Sequence, residues 1–278
     1  MNTVNGIQFD SIKYGSDLDE NLAGTNGDDF INGMDGKDTI VAFGGDDLIL
    51  GDDIPLSDYL DVSNEVFLDT ASTLYESLKA RDLTWLTSED IQLAAFNIQQ
   101  FVINNPSFFN EIATIGDNDF IVGGSGADTI IGGAGDDFLG GGLGDDVLVG
   151  VAGNNDLLGG TGSDILIGGI GNDRLFGGDD SDYLVGTSGD DFYIGGAGQD
   201  YFVFTSLFEG VSSNDRIVDF VQELDKIVLF NVAENFEQLD IQQVGITVVL
   251  TVSETHTITF NNSNINDFSE QDFIFNNF

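Results

Sequence analysis

From residue 114 to 203 the chain keeps one nine-residue period through ten consecutive units, beginning "TIGDNDFIV", "GGSGADTII", "GGAGDDFLG" and ending "GTSGDDFYI", "GGAGQDYFV". Each unit has glycine early, an acid at position six and an apolar residue at position eight. Three further units, "GTNGDDFIN", "GMDGKDTIV" and "AFGGDDLIL", fill residues 24 to 50, and "GSDLDENLA" before them is a degenerate copy. A short period kept over many copies is the mark of a solenoid, in which each unit buries its apolar residue only against its neighbours. Positions one to six carry turn residues and positions seven to nine read as short strands. The position-eight residues, from Ile121 and Ile130 through Leu139, Leu148, Leu157, Leu166, Leu175 and Leu184 to Tyr193 and Phe202, then form one continuous core.

The pattern breaks twice. Residues 54–113 hold few glycines and no nonapeptide. "VFLDTASTLYESLKA" places apolar residues at 67, 71, 74 and 78. "TSEDIQLAAFNIQQFVINN" opens with Thr87 and Asp90 in capping-box spacing, and a third short helix starts at Pro106. Both spacings predict amphipathic helices, hence an inserted helical hairpin. Lys79, Arg81 and Trp85 lie there and read as a solvated helix end and a core aromatic, with a small partner-binding face as the alternative. After residue 203 alternating segments such as "ITVVLTV" and "THTITF" predict an antiparallel β cap over the open end. The expected divisions are an N-terminal segment with a short roll block (1–53), the helical insertion (54–113), the main roll (114–203) and the C-terminal cap (204–278). Two repeat blocks leave open whether there is one roll or two.

Composition changes what the turns can be for. There are 49 Asp and Glu against 7 Lys and Arg, a formal charge of -42. Such a chain repels nucleic acid and anionic membrane surfaces and calls for a cationic complement. With 41% hydrophobic residues, 23 of them Phe, it is too apolar to be a disordered acidic tail. Without cysteine it has no disulfide and no thiolate metal site. No run of 18 apolar residues predicts a transmembrane segment, and the first residues lack the pattern of a secretory signal. Aspartates aligned along glycine turns suit a hard cation, and calcium accepts six to eight oxygens in flexible geometry.

The nonapeptide resembles the GGxGxDxUx repeat of the RTX family. That resemblance implies a parallel β-roll with two units per turn and a calcium ion between position-six residues of neighbouring turns, eighteen residues apart. It implies several Ca2+ ions and, as metal ligands, Asp29, Asp38 and Asp47 in the first block and Asp119, Asp128, Asp137, Asp146, Asp164, Asp173, Asp182, Asp191 and Asp200 in the second. One edge of the main roll would hold Asp128, Asp146, Asp164, Asp182 and Asp200, the other Asp119, Asp137, Asn155, Asp173 and Asp191. Asn155 departs from the pattern and predicts a weak or empty site. "TIGDNDFIV" lacks its first glycine pair and is expected at an edge of the roll. The segments "NDRIVDFVQELDKIVLF" and "SEQDFIFNNF" resemble the C-terminal region of RTX proteins exported by type I secretion, which implies that secretion machinery as a partner and an extracellular location.

The fold class expected is therefore mainly β: a parallel β-roll with a C-terminal antiparallel cap and an inserted α-helical hairpin. Catalytic motifs are absent. One histidine, His256, excludes an HExxH zinc site, no GxSxG elbow occurs, and paired aspartates inside a calcium turn are a ligand set. His256 itself, in an alternating strand, reads as an exposed strand residue. The leading function is a secreted calcium-binding protein that folds outside the cell and has a structural or interaction role at the cell surface or matrix. A secreted effector or enzyme acting through the helical insertion, and a calcium buffer, are the alternatives.

Overall fold

A nonapeptide can stack only if its chain reverses twice every eighteen residues, and glycine supplies the reversals. In the main block positions two and four fall in the left-handed backbone region, for example Gly142 at φ +122 and Gly144 at φ +124. The computed structural model describes residues 2–4, 7–34, 36–51, 116–205, 213–230, 232–233, 235–261 and 263–276. The predicted helical hairpin at 54–113 lies outside these residues. Among the described residues there is no α-helix, only three single 3-10 turns in the tail.

The first block forms β1 (Asn2–Val4), β2 (Ile7–Phe9), β3 (Ser11–Tyr14), β4 (Asn21–Ala23), β5 (Asp29–Asn32), β6 (Thr39–Val41) and β7 (Leu48–Leu50). The main block gives β8 (Phe120–Ser125), β9 (Thr129–Ala134), β10 (Phe138–Leu143), β11 (Val147–Ala152), β12 (Asp156–Thr161), β13 (Ile165–Ile170), β14 (Arg174–Asp179), β15 (Tyr183–Ser188), β16 (Phe192–Ala197) and β17 (Tyr201–Thr205). The tail adds β18 (Ser213–Ile217), β19 (Lys226–Phe230), β20 (Asp240–Val244), β21 (Thr247–Thr251), β22 (His256–Phe260) and β23 (Phe273–Asn276). Strands in the main block run on through position three of the next unit, longer than the three residues expected. The glycine pair bends the chain there without ending its pairing with the next turn.

Alternate units fall into two facing sheets. One has ten strands in the order β23-β19-β17-β15-β13-β11-β9-β7-β5-β3; the other has eleven, β20-β21-β22-β18-β16-β14-β12-β10-β8-β6-β4. Within the roll every neighbour is parallel and offset by one full turn, as in Leu139↔Leu157 and Leu148↔Leu166. The two blocks make one roll. β6 pairs with β8 through Ile40↔Ile121 and β7 pairs with β9 through Ile49↔Ile130. "TIGDNDFIV" is therefore interior and does not mark an edge of the roll.

Position eight forms the core as expected. Ile31, Ile40, Ile49 and every such residue from Ile121 to Phe202 are at most 1% exposed, in one cluster between the sheets. The outer faces differ. On the ten-stranded sheet, outward residues such as Val147, Ile167 and Val185 are buried in a second apolar layer, whereas Phe120 and Leu158 on the eleven-stranded sheet are exposed.

The tail departs from the expected antiparallel cap. β18, β19, β22 and β23 all join parallel to the roll, and antiparallel pairing is confined to β20, β21 and β22. The last turn leaves β16 and β17 with unpaired edges, and a strand that continues the same winding satisfies them while Ile217 and Ile227 extend the core. Phe220, Phe260 and Phe268, with ring centroids 4.9 to 5.6 Å apart, then plug the end.

Adjacent leucines test the one-sided core. Leu157 is fully buried and Leu158 is 38% exposed. In chemical denaturation at saturating calcium, Leu157→Ala is expected to cost about 2–5 kcal/mol and Leu158→Ala well under half of that.

Candidate metal centre

The position-six side chains form two ladders, one along each edge of the roll. All twelve aspartates singled out in the sequence lie in them, none more than 3% exposed. One carboxylate oxygen of each rung accepts the backbone N–H of the preceding rung. On the first edge Asp29 N–H donates to Asp47 (2.7 Å), Asp47 to Asp128 (2.9 Å), Asp128 to Asp146, Asp146 to Asp164 (both 2.8 Å), Asp164 to Asp182 (2.8 Å) and Asp182 to Asp200 (3.1 Å). On the second, Asp38 donates to Asp119 (2.7 Å), Asp119 to Asp137 (2.9 Å), Asp137 to Asn155 (3.0 Å), and Asn155 and Asp173 to Asp173 and Asp191 (2.8 Å each). The offset is 18 residues throughout, except across the insertion, where it is 81.

The second oxygen is the unusual one. Oδ2 of Asp38, Asp47, Asp119, Asp128, Asp146, Asp164, Asp173 and Asp182 is buried without a hydrogen-bond partner. A buried carboxylate oxygen left so costs several kcal/mol unless a cation meets it. All but those of Asp47 and Asp119 point into a cradle at the first glycine of their own unit. A Cβ on Gly159 would lie 2.2 Å from Asp164 Oδ2 and 2.6 Å from the Gly177 carbonyl oxygen; on Gly177 it would lie 2.3 Å from Asp182 Oδ2 and 2.5 Å from the Gly195 oxygen. Where position one is glycine, its missing Cβ leaves the space in which a carboxylate and a carbonyl of the next turn converge; in the Asp47 unit position one is Ala42. The split unit obeys the same rule. A Cβ on Gly51 would lie 2.3 Å from Asp119 Oδ2 and 2.3 Å from the Gly132 oxygen, so the glycine missing from "TIGDNDFIV" is supplied from before the insertion.

Every donor in these cradles is oxygen, which fits calcium. Among the described residues no three acidic, histidine or cysteine side chains converge, so backbone carbonyls would complete the shell. The electrostatics point the same way. Burial pushes Asp146 up to about 9, with the Asp128 charge adding to it, and Asp182 to about 8. Burial likewise raises Asp119, Asp164 and Asp173 to about 7, Asp38 and Asp200 to about 6, and also raises Asp47, Asp128 and Asp191. Carboxylates held this way are charged at neutral pH only at a cost that a divalent ion removes.

Asn155 fills its own cradle. Its Oδ1 keeps the rung, while Nδ2 lies 3.4 Å from the carbonyl oxygens of Gly153 and Gly168 and 2.5 Å from where a Cβ of Gly150 would stand. An amide donor stands where the other rungs present a bare oxygen.

Several ladder members escaped the sequence reading. Glu20 begins the second edge, its N–H donating to Asp38 (2.9 Å). Asp215 and Asp225 extend the ladders into the tail, accepting from Asp191 (3.0 Å) and Asp200 (3.1 Å) at offsets of 24 and 25 residues. Position five forms an outer ladder of its own. Asp136 N–H donates to Asn118, Asn154 to Asp136, Asn172 to Asn154 and Asp190 to Asn172, at 2.7 to 3.0 Å. The paired polar residues at positions five and six were its signal. His256 is corrected outright: it is 9% exposed, with Nε2 2.7 Å from Asp215 Oδ2.

The chain matches the model of the RTX calcium-binding nonapeptide repeat in four copies, over residues 14–49, 115–148, 149–184 and 167–202. No curated protein sequence matches it. Among solved structures it is similar to the extracellular lipase LipA from Serratia marcescens, at 14% identity and a TM-score of 0.32, over 91% of this chain and 40% of that one. It thus spans less than half the length of that protein.

Two outcomes follow from the ladders. Asp146→Ala and Asp164→Ala should each raise the calcium concentration at the folding midpoint at least about tenfold, and Asn155→Ala distinctly less; equal shifts would contradict the pairing by one turn. In chelator, the native carboxylates titrate above the unfolded value of about 4, so the native chain binds more protons between that pH and about 9. Its calcium-free stability is therefore fullest below pH ~4 and is lost as pH rises through that window. Residual β circular dichroism in chelator should be greater at pH 5 than at pH 8, and the reverse order would refute the burial of these groups.

Proposed function

Because the chain carries the RTX calcium-binding nonapeptide repeat in both blocks of its roll, we propose that it is a secreted protein that folds on binding several calcium ions outside the cell and has a structural or interaction role there. The observation that carries this reading is the row of eight buried Oδ2 atoms without partners, seven of them at a cradle that a glycine leaves open.

Each group has a part in this. Position-six Oδ1 fixes the register between turns, Oδ2 and the position-one carbonyls offer ligands, and glycine at positions two and four turns the chain around them. Calcium, when bound, supplies the positive charge that lets stacked carboxylates stay ionised. At fifty times its Kd a single site stabilises the fold by about 2 kcal/mol. Several such sites in a one-dimensional stack act together, so folding responds steeply to the ion. A chain with a formal charge of -42 and this dependence stays open where calcium is scarce and closes where it is abundant.

Export is supported by the family's usual location and by the tail's resemblance to type I secretion regions. Among the described residues no helix is long and apolar enough to cross a membrane. The role we propose is binding and scaffolding, with no catalytic step.

Far-UV circular dichroism of the whole chain during a calcium titration tests this, with magnesium as control. A cooperative gain of β signal with calcium alone is expected, because magnesium demands tighter octahedral geometry and gives up its water reluctantly. An equal response to magnesium, or none to calcium, would overturn the reading.

A further inference from the structure

The ladders do not stay open to their ends. At three ends the terminal carboxylate folds back onto a backbone N–H four residues earlier. Glu20 accepts from Ser16 (2.7 Å), Asp29 from Thr25, and Asp225 from Val221 (2.7 Å). The fourth end, beyond Asp173, is built differently. Tyr193 stands at position eight, 1% exposed, where the other units of the main roll carry Ile, Leu or Phe with no polar atom. Its hydroxyl reaches back out of the core and accepts the Gly186 N–H at 3.0 Å.

That hydroxyl lies in the cradle itself. A Cβ on Gly186 would be 2.0 Å from Asp191 Oδ2 and 2.2 Å from Tyr193 Oη. One turn further, Asp215 takes the Asp191 N–H on Oδ1 at 3.0 Å and presents Oδ2 to His256 Nε2 at 2.7 Å. Ser213 Oγ has two acceptors within reach of its one proton, the Gly189 carbonyl (2.7 Å) and Asp215 Oδ1 (3.0 Å). The His256 ring is held edge-on to Phe204, 6.1 Å between centroids.

We propose that Tyr193 and His256 close this end of the ladder: the tyrosine hydroxyl fills the cradle of the Asp191 rung, the imidazole pairs with Asp215, and neither rung takes an ion. The proposal rests on the calcium reading and sharpens it, because the run of ion sites is then shorter than the run of repeats. An ion needs the space that Oη occupies, and the buried ring is held there edge-on to Phe202 and Phe204, with centroids 6.1 and 5.5 Å away. Both Asp215 oxygens already have protein partners, Oδ1 the Asp191 N–H and Oδ2 the imidazole, unlike the bare Oδ2 of the interior rungs.

Counting bound calcium by native mass spectrometry of the full chain tests this. Asp191→Asn keeps the rung, as Asn155 shows an amide can, and is expected to leave the ion count of the parent unchanged, whereas Asp146→Asn lowers it by at least one. Tyr193→Phe keeps a ring that position eight accepts at Phe202 and is expected to add one ion. Loss of an ion in Asp191→Asn, or no gain in Tyr193→Phe, would overturn the closure. A parent chain that binds no calcium would instead sink the calcium reading beneath it, so the two failures are distinct.

Discussion

A buried carboxylate with one oxygen satisfied and the other bare is the constraint on which the roll depends. Oδ1 of each rung fixes the turn above it through a backbone N–H, so the ladder is part of the fold and not an ornament on it. Oδ2 is left in a space too small for a side chain and lined by oxygen. No arrangement of this backbone satisfies both atoms within the protein at every rung, since each turn has already committed its N–H groups to the strand pairing and to Oδ1. Fold and cation demand are therefore one property of the same residues.

The period makes that property cooperative. Position eight carries the apolar core, position six the ladder, and positions two and four the reversals, so a unit has almost no residue that serves only itself. Departures show what the remaining positions tolerate. Val151 and Thr187 occupy position two at φ 85 and 88, as Met34 and Phe43 do in the first block at φ 74 and 84, where the other described units of the main block use glycine. β-branched residues there are strained by about 1–3 kcal/mol each. The roll absorbs this because the flanking strands overdetermine the backbone. The outer ladder at position five adds a hydrogen bond per turn at the exposed rim, and its mix of Asn and Asp holds the geometry with fewer charges than an all-Asp row.

Positions six and eight were legible because a strict nine-residue period fixes the spacing and alternation puts position eight inward, while the eighteen-residue turn was implied by the resemblance to the RTX repeat. Pairing across the insertion was not legible. Gly51 and Asp119 belong to one unit, yet no local signal joins a glycine to an acid so far along the chain. Tail strands such as "ITVVLTV" and "THTITF" were legible, but their direction was not, because alternation is the same in parallel and antiparallel strands and only the winding of the roll decides. His256 shows the limit of alternation most clearly. It sits outside the period, and what buries it is Asp215 from a strand 41 residues earlier. The helices expected at 54–113 fall outside the described residues.

The tail shows how the same carboxylate motif behaves where protein donors are at hand. Asp225 meets the N–H of Val221, Asp272 those of Glu223 and Ser269, and Asp219 those of Gly195 and Gly196, at 2.6 to 3.0 Å. These aspartates sit in irregular turns, where backbone N–H groups are not already committed to strand pairing. In the roll the regular winding commits them. Regularity is what strips the interior rungs of protein partners, and irregularity is what returns partners to the ends. Whether an aspartate of this chain is left with a bare oxygen or is satisfied within the protein therefore follows from whether the surrounding turn repeats.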